Sequence, residues 1–122
     1  MRDTRRLSPN EIAAYFKRFT TRFLAYESTD VADVERVSSG LGDQVGATGA
    51  HLTGITYEPT TRSLEIELEA GDVRAFRPKE VWVLEDDDGF VRAIEIVLDD
   101  DSREIIQIRR LALASASPKG AP

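Results

Sequence analysis

Residues 64–69 read Leu-Glu-Ile-Glu-Leu-Glu, a strict alternation of apolar and acidic side chains. A period of two puts Leu64, Ile66 and Leu68 on one face of an extended strand and the three glutamates on the other. A strand with one dry and one wet face belongs in an antiparallel sheet, and this constrains the fold more than any other feature. Related runs occur at 34–37, 52–58, 73–76, 80–85, 90–98 and 103–109. Between them lie turn-forming stretches at 59–62, 70–72, 87–89 and 99–102, rich in Gly, Pro, Asp, Ser and Thr. Pro78 cannot donate to a ladder, so it bends the fourth run or splits it into two short strands.

Upstream the period changes. Ser8 can cap a helix, Pro9 suits its first position, and Glu11 stands three residues after the serine, as in a capping box. Ile12, Tyr15, Phe16, Phe19, Phe23 and Tyr26 then recur at helical spacing and make one broad aromatic face. The spacing predicts a helix over about 9–26. Together these signals predict an α+β fold: an N-terminal helix packed on a strongly bent antiparallel β-meander of five to six strands. Closure of that sheet would give a small SH3/Sm-like barrel. One domain is expected over 1–113, followed by a disordered tail at 114–122, whose residues are small, polar and proline-bearing.

Signs of chemistry are few. Gly40, Gly42, Gly46 and Gly49 crowd residues 38–49, a composition that suggests a phosphate cradle. A P-loop needs a lysine followed by Ser or Thr, yet no lysine falls between Lys17 and Lys79. The dinucleotide fingerprint needs a third glycine where Val45 stands. Both motifs also need a following helix to aim its N–H groups at the phosphate. The residues that follow, His51-Leu52-Thr53-Gly54-Ile55-Thr56, read as a strand, so the segment is expected to be a flexible connection. Asp86, Asp88, Gly89 and Glu95 partly match a calcium loop, but Leu84 occupies its first position and strands flank it. His51 is the sole histidine and there is no cysteine, so no histidine- or thiolate-rich metal site, disulfide or cysteine nucleophile can form. Ser38, Ser39 and Ser63 lack a nucleophile elbow. No catalytic residue, cofactor or metal is therefore expected.

Charge narrows the partners. The chain carries −6 overall, yet residues 1–22 hold six basic groups against Asp3 and Glu11. An acidic body argues against a general nucleic-acid binder, whose affinity comes largely from neutralising phosphates. The basic segment, with Arg2, Arg5, Arg6, Arg18 and Arg22, is the candidate interaction surface. The N-terminal stretch lacks the apolar run of a signal peptide and no segment reaches membrane-span length, so a cytoplasmic protein is expected.

Several pieces of the chain form a pattern: residues 7–16 (Leu-Ser-Pro-Asn-Glu-Ile-Ala-Ala-Tyr-Phe), 41–45, 52–59, 65–69, 76–86 and 94–109. In these the chain resembles, over about residues 7–110, a family of small bacterial proteins known only as a domain of unknown function. The resemblance implies a stand-alone small domain and assigns no functional residue. The leading expectation is a non-enzymatic interaction or structural module that binds a protein partner or itself. The alternative is small-ligand or nucleic-acid binding through the basic segment, and an enzyme of unknown type comes third.

Overall fold

A computed structural model describes residues 3–25, 30–38, 42–69, 71–87 and 89–109. The chain runs β1 (Asp3–Leu7), α1 (Ile12–Ala25), β2 (Val31–Ser38), β3 (Gly42–Glu58), β4 (Ser63–Leu68), β5 (Val73–Phe76), β6 (Glu80–Glu85), β7 (Val91–Val97) and β8 (Arg103–Arg109). The eight strands of the described residues form one antiparallel sheet in the order β1-β6-β7-β8-β2-β3-β4-β5. This corrects the expected five- to six-strand meander. Two meanders, β2–β5 and β6–β8, are joined by the β8–β2 pairing, and β1 adds to β6 at one edge. The order ends at β1 and β5, and among the described residues no pairing joins them to close the expected SH3/Sm-like barrel.

The sheet nevertheless curls tightly, and chain length shows why. β5 and β6 stand six strand positions apart in the order. Laid flat, that is about 29 Å at the usual strand spacing. Only residues 77–79 link them, so Phe76 and Glu80 are at most about 14 Å apart. The sheet must therefore roll until its ends approach. Short bonds pin the link in place: the Lys79 N–H donates to the Val97 carbonyl at 2.6 Å, and the Arg77 N–H donates to the Arg62 carbonyl at 2.6 Å.

The long strand β3 makes the roll possible. Its first half pairs with β2, its second half with β4, and the change of partner falls at His51 and Leu52. There the Leu52 N–H donates to Asp30 O at 3.1 Å, while His51 O accepts from the Glu69 N–H at 2.9 Å. Gly49 has φ +60, a conformation that costs a non-glycine residue. Its N–H donates to Asp33 Oδ1 at 2.7 Å, and register shifts in the β2–β3 pairing fall beside Val34. The glycine-rich segment is thus a corrected expectation too. From Gly42 onward it is strand, irregular and bent, whereas residues 39–41 lie outside the described residues.

Alternation sorts the core. Val81, Val83, Ile94, Ile96, Ile106, Ile108 and Val34 face inward together with Leu64, Ile66 and Ile55, all at 1 % exposure or less. Phe16 from α1 is fully buried against them, Ile12 and Tyr15 are nearly so, and Phe19 packs at the margin. Glu11 Oε1 accepts from the Ser8 N–H at 3.2 Å, which supplies one half of the expected capping box. The helix itself starts at Ile12, after a turn. Phe23 and Tyr26 belong to the predicted aromatic face, but the Phe23 side chain and all of Tyr26 lie outside the description, as does the predicted tail.

Candidate functional site

Helix α1 lies where β3 parts from β2. Past that point one edge of β3 has lost its neighbour, and unpaired buried backbone groups are costly. Thr20 meets the need with one hydroxyl. Its Oγ1 accepts from the Ile55 N–H at 3.0 Å and donates to the Ile55 carbonyl at 2.8 Å. The approach is close: a Cβ on Gly54 would fall 3.2 Å from Thr20 Cγ2 and 2.9 Å from Glu67 Oε1. The helix is also tied to β6 by a Tyr15–Glu85 hydrogen bond and to the following turn by Arg22, which donates to the Gly89 carbonyl at 3.1 Å. Burial, then the adjacent Glu85 carboxylate, pushes the Tyr15 phenol well above its usual pKa.

Those contacts decide what becomes of the basic segment. Arg5 bonds Glu11 at 3.0 Å and stacks 5.5 Å over the Tyr15 ring, and Arg22 is held at the β6–β7 turn. Arg5 and Arg6 point to opposite faces of β1 because successive side chains in a strand alternate. Arg18 is exposed on the helix, and Arg2 lies outside the described residues. Arg5 and Arg22 both lie close enough to Tyr15 to act on its phenol, whereas Arg6 is on the other face of β1 from Arg5. His51 on β3 is exposed, whereas Trp82 on β6 is half-buried, its Nε1 donating to Glu80 Oε1 at 2.9 Å.

Two features remain as candidate sites. The first is a shallow cleft of about 300 Å³ over β3, β4 and β5, lined by Thr56, Glu58, Thr61, Ser63, Glu65 and Arg74. Its polar groups are already engaged, by one another or by their neighbours. Arg74 bonds Glu65 at 2.8 Å, the Thr61 and Ser63 hydroxyls share a hydrogen bond of 2.8 Å, and Glu58 accepts from the Thr60 N–H at 3.1 Å. No group of three or more His, Asp or Glu side chains suited to a metal occurs among the described residues.

The second feature is the outer face of β1, β6, β7, β8 and β2. Trp82, Leu84, Val97 and Ile105 all point there and are half-exposed. Charged neighbours surround them. Arg103 bonds Glu95 at 3.0 Å, and Arg109 bonds Asp33 at 3.1 Å. The Arg109 contact, reinforced by the Gly49 N–H, lowers the pKa of Asp33. Sequence reasoning left this face unremarked because Leu84, Val97 and Ile105 each stand beside strongly apolar inward residues, which blurs the alternation.

Residues 3–116 match the model of a protein family of unknown function, DUF5335. The chain belongs to that family. A relative, an uncharacterized protein of Aquifex aeolicus (strain VF5), is 30% identical over 107 residues, covering 87% of this chain and 92% of the relative. No solved structure matches the chain. Among the described residues of this DUF5335 chain, no helix is long and apolar enough to cross a membrane.

Proposed function

We propose that this chain is a non-enzymatic interaction module that associates with itself through the outer face of its sheet. One observation carries the reading: on the outer faces of β6, β7 and β8, Trp82, Leu84, Val97 and Ile105 are only half-buried. The inward alternates of these strands already build the core, so the fold does not need a second apolar face there. Contiguous exposed apolar surface rimmed by charge is the usual mark of a protein contact. The distribution of reactive groups agrees. Hydroxyls, carboxylates and the guanidinium group of the cleft are engaged with one another or with neighbouring groups, and His51 stands exposed on β3. Multi-angle light scattering across a wide concentration range tests the reading. The mass is expected to rise above that of a single 13.6 kDa chain as concentration increases. A strict monomer throughout overturns the proposal.

A further inference from the structure

The β8–β2 pairing joins the two meanders, and no short turn sets its register. Elsewhere tight turns do that work. The Leu98 N–H donates to Ser102 O at 2.8 Å between β7 and β8, and the Asp86 N–H donates to Phe90 O at 2.9 Å between β6 and β7. β2 and β8 come from distant parts of the chain and pair from Val31 with Arg109 to Val37 with Arg103. A slip of one residue would turn a whole strand's side chains to the other face, which the apolar alternation forbids. A slip of two residues keeps every face. Val34, Ile106 and Ile108 would still point inward, so the apolar pattern does not exclude it.

Two ion pairs span this joint. Arg36 stands directly opposite Glu104 on the inward face, at 3.1 Å, with Glu104 buried and Arg36 half-exposed. Glu104 is out of keeping with its row, which continues across β7 and β6 as the buried Ile96 and Val81. On the outer face Asp33 bonds Arg109 at 3.1 Å on the diagonal, since Asp33 lies opposite Gln107 and Arg109 opposite Val31. One slip sets Arg36 opposite Ile106. It draws the guanidinium into the buried row of Ile94 and Ile106 and leaves Ser38 against Glu104, while Asp33 still meets Arg109. The inner pair alone opposes that slip. The reverse slip sets Val34 against Glu104 and parts Asp33 from Arg109 by four positions, about 14 Å, so both pairs oppose it. A buried charge parted from its counter-ion is strongly disfavoured, whereas replacing both partners by apolar groups is often close to neutral. We propose that Arg36–Glu104 and Asp33–Arg109 select the register in which the two meanders join, and that this choice, rather than net stability, is what the inner pair contributes.

The chain has no cysteine, so introduced cysteine pairs report the register cleanly. Direct cross-strand partners lie within reach of a disulfide, and pairs displaced by two positions do not. Glu35→Cys with Ile105→Cys reads the native register, Glu35→Cys with Gln107→Cys the first slip, and Glu35→Cys with Arg103→Cys the reverse. Each full chain is refolded, oxidised and scored for the intramolecular disulfide by peptide mass analysis, with circular dichroism to verify folding. With both ion pairs intact, the yield for 35 with 105 should exceed either other by about tenfold or more. In R36M/E104L the yield for 35 with 107 should rise about fivefold, while 35 with 103 stays low. Adding Arg109→Gln should raise 35 with 103 as well. The exchanged pair R36E/E104R should return the native pattern. If 35 with 105 stays the sole product in every variant, helix α1 and the link at 77–79 hold the register without the charges, and the proposal fails. Slipped products from the chain with both pairs intact, or 35 with 103 rising before 35 with 107, also overturn it. An R36M/E104L chain that does not fold overturns it too, since the inner pair would then serve stability.

Discussion

Thr20 carries two hydrogen bonds on a single oxygen, so its removal is a sharp test of how the helix is attached. Thr20→Val keeps the shape and the β-branch and deletes only the hydroxyl. Ile55 then loses partners for both its N–H and its carbonyl, at a part-buried position that no strand covers. Each bond contributes about 1 kcal/mol net, and leaving the two backbone groups poorly hydrated adds about as much again as one bond. The expected loss is about 2–3 kcal/mol, a large share of the 5–15 kcal/mol typical of a domain. Urea denaturation should show a midpoint lower by about 1–2 M with the slope unchanged. Hydrogen exchange at the Ile55 amide should accelerate more than at its neighbours. Thr20→Ser retains the hydroxyl and should recover most of the loss, while Thr21→Val, exposed one residue further on, reports the helix propensity cost alone. If Thr20→Val costs no more than about 0.5 kcal/mol beyond Thr21→Val, the bridge to Ile55 does not hold the helix.

Other consequences are open to measurement. Gly54→Ala places a methyl 3.2 Å from Thr20 Cγ2 and displaces the Glu67 carboxylate from Thr56, so a loss of about 1–2 kcal/mol is expected in the same denaturation assay. Arg36 is the cation of the inward-facing Glu104, which is 3% exposed. Arg36→Met alone should cost about 2–3 kcal/mol, whereas Arg36→Met with Glu104→Leu should cost clearly less, as measured by thermal melts. Stability should be greatest between about pH 4 and pH 10. Below that window Asp33 and Asp100, whose native pKa values are lowered chiefly by Arg109 and by the Ser102 hydroxyl, take up protons more readily in the unfolded chain. Above it the unfolded chain loses the Tyr15 proton while the native phenol keeps it, so stability falls again. Asp33→Asn should flatten the acid limb in melts taken across that range.

Most strands were legible because their inward positions alternate cleanly. The run at 64–69 became β4, with Leu64, Ile66 and Leu68 buried and Glu65 and Glu67 outward. β1 escaped notice because Asp3-Thr4-Arg5-Arg6-Leu7 buries only Leu7 among its described side chains. Charged side chains of this kind suit an edge and resemble a loop when read alone. The first half of β3 was hidden by its glycines, which here allow one long strand to bend between two partners. Strand order was out of reach for a different reason: the β8–β2 pairing joins residues as distant as Val31 and Arg109, and no local pattern encodes such a meeting. The candidate interface depends on that same order.

The position of β8 has a consequence for synthesis. It is the last of the described strands to be synthesised, yet it stands between β7 and β2, so without it the sheet is two separate pieces, β1-β6-β7 and β2-β3-β4-β5. Until β8 leaves the ribosome, both pieces expose long strand edges with nothing to pair them. The nascent chain therefore cannot secure its gains strand by strand as it emerges. It must remain soluble while incomplete, and the acidic residues concentrated after position 22 supply the repulsion that keeps such intermediates apart.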